Sequence, residues 1–72
     1  MQILVFNQFS VYIYAGQVPP PHCHLRFYDG NDILLSIPNF KVLGGENTLD
    51  EDIINILLDN LDYICNKWDE LN

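Results

Sequence analysis

Basic residues are what this 72-residue chain has least of: Arg26, Lys41 and Lys67 stand against ten carboxylates. The resulting formal charge of −7 repels phosphate backbones, whose neutralisation by Lys and Arg drives most nucleic-acid affinity. Direct RNA or DNA binding is therefore disfavoured. Long apolar runs are missing as well, and none approaches the roughly 20 residues that a membrane helix needs. The opening Met1-Gln2-Ile3-Leu4-Val5-Phe6 has neither a basic leader nor a small-residue cleavage site, so a cytoplasmic location is the expectation. Cysteine is limited to Cys23 and Cys65, too few for the disulfide framework of a secreted mini-protein. Two free thiols behaving as small hydrophobes are expected, with a single disulfide as the alternative. No serine or cysteine stands in a recognisable nucleophile motif.

What is present suits one small folded domain. The apolar share is 49% and the charged share 18%, a balance that argues for a globular core and against disorder. A chain this short buries only about 60% of its unfolded surface, which makes oligomerisation or a partner a common supplement. The charge is also uneven. Up to residue 45, Arg26 and Lys41 cancel Asp29 and Asp32; from Glu46 onward, eight carboxylates face Lys67 alone.

The least ordinary stretch is Pro19-Pro20-Pro21-His22-Cys23-His24. Prolines cannot donate ladder hydrogen bonds and favour extended geometry, so this run should lead stiffly into a strand. Side chains alternate along a strand, which puts His22, His24, Arg26 and Tyr28 on one face and Cys23, Leu25 and Phe27 on the other. Upstream, Phe9, Val11 and Ile13 alternate with Ser10, Tyr12 and Tyr14. Strands are expected at about 9–14, 22–28, 31–37 and 40–43, with residues 2–6 either a further strand or a lead-in. Asp29-Gly30 predicts a two-residue hairpin turn, Pro38-Asn39 a break, and Gly44-Gly45 the end of the last strand.

Beyond residue 48 the pattern becomes helical. Thr48 and Glu51 match a capping box, and Ile54, Leu57, Leu58, Leu61, Ile64, Cys65, Trp68 and Leu71 form a stripe at helical spacing over about 49–70. Core packing is the first reading of that stripe, and of Trp68 in particular. Short connections imply antiparallel pairing. The expected architecture is thus α+β, an antiparallel sheet of three to four strands (β-β-β-β-α) with one C-terminal helix on one face. The opposite face would expose Tyr12, Tyr14, His22, His24, Arg26 and Tyr28, an aromatic-rich composition typical of protein contact surfaces.

The aromatic strand, Pro20-Pro21-His22-Cys23-His24, the Asp29-Gly30 turn, Leu43-Gly44-Gly45 and an amphipathic helix reaching Trp68 together resemble the small bacterial domain-of-unknown-function family 4160. The resemblance runs from about Phe9 to Trp68. It implies a partner more than a chemistry, because such proteins are encoded beside another short protein and are linked to toxin–antitoxin-like pairs. Relatives place a basic residue in the first strand and Arg and Lys along the helix. Here the first strand carries Tyr12 and Tyr14, and the helix is almost purely acidic.

Three classes of function follow. A protein-interaction module would use the aromatic face, and its acidic helix would suit a small basic partner or accompany a homo-oligomer. A nuclease-like hydrolase would use His22 and His24 as acid and base with Arg26 steadying an anion, although the overall charge is wrong for polyanions. A metal site would use His22 and His24, with zinc the natural ion and Asp29 or Asp32 near in sequence; zinc takes three or four protein ligands. Against all three stands a plain reading, in which His22 caps the start of the strand, His24 bonds across the sheet and Arg26 pairs with a carboxylate.

Overall fold

A computed structural model describes residues 1–45 and 49–72. The element order is β1 (Gln2–Val5), β2 (Phe9–Tyr12), β3 (His22–Phe27), β4 (Asp32–Ser36), β5 (Val42–Gly45), α1 (Glu51–Asp59) and α2 (Leu61–Leu71). The strands form one antiparallel sheet in sequence order, β1-β2-β3-β4-β5, in which each strand hydrogen-bonds only to its neighbours in the chain. The α+β class and antiparallel pairing agree with the sequence reading, but the described residues form five strands rather than three or four, and two helices rather than one.

The extra strand is the N-terminal run. Its apolar residues lack a period of two because it pairs through a register shift between Gln2 and Leu4, which spoils the alternation that would have marked it. The last strand also lies later than expected. Phe40 belongs to a turn, buried with φ +54 and its N–H on the Ser36 carbonyl, and Gly44 and Gly45 are paired residues at the end of β5. Gly45 holds φ +112 where a Cβ would lie 2.5 Å from the Asp32 carbonyl oxygen, so only glycine fits there. The β3–β4 connection runs through Tyr28-Asp29-Gly30-Asn31, with Phe27 N–H on the Asn31 carbonyl and Gly30 alone at positive φ. Asp29 accepts from the Asn31 N–H at 3.1 Å, an Asx arrangement that substitutes for the tight two-residue turn. The Pro19–Pro20 and Ile37–Pro38 bonds are cis.

The expected single helix is broken at Asn60. Its side-chain amide donates to the Ile56 carbonyl at 2.8 Å and its N–H turns back to Leu57, diverting groups that would continue the ladder. The buried stripe is Ile53, Leu57, Ile64 and Trp68, spaced by four, seven and four, so both helices keep one apolar side toward the sheet. Leu58, placed in the stripe by periodicity, is 49% exposed instead. α1 starts at Glu51, with Asp50 as its N-cap accepting from Ile53 N–H at 2.9 Å; Thr48, the expected cap, lies outside the described residues.

Phe9, Val11, Cys23, Leu25, Ile33 and Leu35 project from one side of β2, β3 and β4, and with Ile13 just beyond β2 they enter the core formed with these helices. Seven such side chains, each at 1% exposure or less, are worth roughly 1.5–3 kcal/mol apiece for the larger ones against a solvent-exposed reference. They fix the register, because a one-residue slip would move every one of them to the opposite face. No helix among the described residues is long and apolar enough to cross a membrane.

Candidate functional site

With both helices on one side, no described element forms a second layer on the other side of the sheet. The register Tyr12↔His24↔Leu34 and Ser10↔Arg26↔Asp32 brings the outward residues of β2, β3 and β4 into rows across the strands. Tyr12, Tyr14, His22 and His24 are half-buried, and Arg26 and Tyr28 are exposed.

Their rings form a connected line. Tyr12 and Tyr14 lie nearly parallel at 6.2 Å, Tyr14 meets His24 edge-on at 5.1 Å, and His24 meets His22 edge-on at 5.8 Å. His22 then reaches the Trp68 indole at 5.0 Å. At the other end the Arg26 guanidinium sits 5.2 Å over the Tyr12 ring while its Nε donates to Asp32 at 3.3 Å. That ion pair is more than half exposed on both sides, a setting where it adds little stability but does fix the orientation of the guanidinium. Tyr28 closes the row. Its hydroxyl donates to the Phe6 carbonyl at 3.0 Å and lies 3.2 Å from the Ser10 hydroxyl, which is itself buried.

His22 is anchored at both nitrogens. Nδ1 donates to the Pro20 carbonyl at 2.8 Å, and Nε2 lies 3.2 Å from the Gln17 side-chain amide, which can present oxygen or nitrogen to it. Gln17 is in turn held by Asn72, whose side chain accepts from the Gln17 N–H at 2.6 Å and donates to the Tyr14 carbonyl at 3.2 Å. The C-terminal end of α2 thereby fastens the loop that carries the prolines. Burial, with the neighbouring His22 imidazole as the second cause, holds His24 below the ordinary histidine range, so its neutral form is favoured.

The arrangement brings His22 and His24 together as the strand alternation predicts, and keeps Arg26 in the same row. It does not bring a third ligand to the imidazoles. Among the described residues no three His, Cys, Asp or Glu side chains cluster, Cys23 is buried on the opposite face, and Asp32 is engaged by Arg26. The imidazoles therefore supply at most two ligands, fewer than zinc usually takes. Both thiols are free. Burial and the neighbouring Cys65 push Cys23 up to about 12, and burial together with Asp62 and Asp69 also raises Cys65. Neither environment favours a thiolate nucleophile.

Sequence reasoning missed three features. The Gln17 and Trp68 contacts to His22 depend on the docking of α2, for which a helical stripe gives no address. A 530 Å³ cleft lies between the β1–β2 turn, at Phe6 to Phe9, and the start of α1, at Asp50, Asp52, Ile53 and Ile56. It joins segments more than 40 residues apart, and only the fold closes that distance.

A two-layer α+β protein whose sheet presents an open, ring-bearing face is the class that this structure defines. The family model described as "Domain of unknown function (DUF4160)" matches residues 9–69, which is most of the chain and includes Tyr12, Tyr14, His22, His24, Arg26 and Tyr28. The chain belongs to this family. No curated protein and no solved structure matches it.

Proposed function

We propose that this chain is a protein-interaction module of the cytoplasm that presents its open sheet face to a small protein partner, as one half of a toxin–antitoxin-like pair. One observation carries the reading: Tyr12, Tyr14, His24, His22 and Arg26 form a connected row, with the exposed Tyr28 on the same strand face, on the side of the sheet away from the helices, and only its His22 end is packed against α2. Tyr and Arg are the residues most enriched at binding hot spots, and rings already held against one another lose little freedom on contact. The acidic helices support a basic partner. Glu51, Asp52, Asp59, Asp62, Asp69 and Glu70 against Lys67 give that layer a field that accelerates and orients the approach of positive charge.

The test is affinity capture from the native host with the tagged full chain, followed by reconstitution from the purified components. A small basic protein should be recovered in stoichiometric amount and rebind in vitro. Tyr12→Ala with Tyr14→Ala should weaken that binding at least about 100-fold, as for removal of hot-spot side chains, while the far-UV spectrum is unchanged. A partner bound equally well by the double variant would refute the assignment of the face.

A further inference from the structure

The charges are divided between the two layers of the fold in a way that bears on what covers the sheet. On the helix side, α1 and α2 carry six carboxylates and one lysine, and Asp50 at the N-cap adds a seventh carboxylate. On the row of rings, the charged side chains are Arg26 and Asp32, cross-strand neighbours and equal in number. Two copies of a chain with net charge −7 repel at most orientations. The exception is face to face through the sheets. Packed sheets stand about 10 Å apart, so the two acidic layers would lie on opposite outer sides, beyond the roughly 8 Å screening length of physiological salt.

The same face is self-complementary. Under a two-fold axis a surface meets itself, so a residue i that contacts j of the partner is answered by j contacting i. Arg26 and Asp32 are side by side, of opposite sign, and 58% and 57% exposed in their side chains. Turning one copy over the other can place the Arg26 of each against the Asp32 of its mate. The Tyr12, Tyr14 and His24 rings would then be enclosed between the sheets, and the exposed Tyr28 ring would gain a cover.

We infer that a second copy of this chain occupies the sheet face, in a two-fold dimer that exchanges Arg26–Asp32 pairs and leaves both acidic helix layers outward. The inference rests on the reading of the sheet face as a contact surface and names its occupant. A partner protein that uses Tyr12 and Tyr14 then displaces the second copy from the same face.

The purified full chain, followed by light scattering and sedimentation equilibrium, provides the test. The wild type should run at about 17 kDa, twice its 8.4 kDa chain mass. Arg26→Asp alone and Asp32→Arg alone each set like charges against each other, and each should raise the dimer dissociation constant about 100-fold or more. Mixing these two variants should restore the dimer. The pair within each chain is broken in both, so only contacts between chains can account for the recovery, and a fold damaged by either substitution would not show it. A wild type that stays at 8.4 kDa up to about 1 mM, the range of the weakest specific complexes, would overturn the inference. So would a dimer indifferent to both substitutions, or one not recovered on mixing. A monomer that still captures a basic partner through Tyr12 and Tyr14 would overturn the second copy alone, whereas a charge-exchanging dimer without a further partner would overturn the paired-module reading alone.

Discussion

Raising the pH should unfold this protein through one sulfur atom. Cys23 is fully buried on the core side of β3, and its thiol is pushed up from 9.0 to about 12 chiefly by burial. In the unfolded chain the thiol loses its proton near 9, whereas in the fold it keeps it. The folded state therefore binds more protons across this window, and stability falls as pH rises. The contribution is fully present below 9 and is lost as pH climbs toward 12. At about 1.4 kcal/mol per unit, three units amount to about 4 kcal/mol, and by pH 10.5 about 2 kcal/mol should already be gone. For a domain of this size that is a large part of the total stability. Urea unfolding at pH 8, 9.5 and 10.5, for wild type and Cys23→Ala, measures it. Tyrosines and lysines titrate over the same range in both proteins, so the difference between the two curves isolates the thiol. Wild type should lose its advantage over Cys23→Ala as pH rises. Parallel loss in both would refute the reasoning. Thiol labelling at pH 8 gives an independent check, with Cys65 modified in the native protein and Cys23 only after unfolding.

Three further outcomes are expected. Gly45→Ala forces a Cβ against the Asp32 carbonyl at positive φ and should cost about 2–3 kcal/mol in thermal or urea unfolding; Gly16→Ala, where φ is +70 but the space is open, should cost about 1–2 kcal/mol. Asp50→Ala removes the acceptor for Ile53 N–H and should cost about 1 kcal/mol, most visibly as faster amide exchange in the first turn of α1. His24 should titrate by NMR below the ordinary histidine value of 6.5. Its lowered value means that the unfolded chain binds more protons, so its contribution is full above 6.5 and lost as pH falls through the folded value; His24→Gln should flatten that part of the stability profile.

How much of this was legible in advance depended on whether the information is local. The alternation of His22, Cys23, His24, Leu25 and Arg26 is a property of consecutive residues, and a strand has only two sides, so the division into a core face and a ring face could be read directly. The same holds for the apolar side of the helical segment and for the acidity of its other side. Element boundaries were less legible where the chain departs from regular periods. β1 hides behind its register shift, Tyr28 is drawn into the turn by the Asx arrangement of Asp29, and Asn60 diverts its amide to Ile56 and divides the helix.

What the sequence determined by itself was therefore which residues face inward, which way the charge leans, and that the two imidazoles share a side. The tertiary structure alone decided what those imidazoles touch. His22 meets Trp68 and Gln17 because α2 docks its C-terminal end, through Asn72, onto the loop before the prolines, more than 50 residues away in the chain. The cleft at the β1–β2 turn and the pairing of Arg26 with Asp32 depend in the same way on register and docking. Periodicity reports the direction in which a side chain points, because that is set by the backbone of its own segment; what it meets there is set by segments whose approach only the assembled core determines.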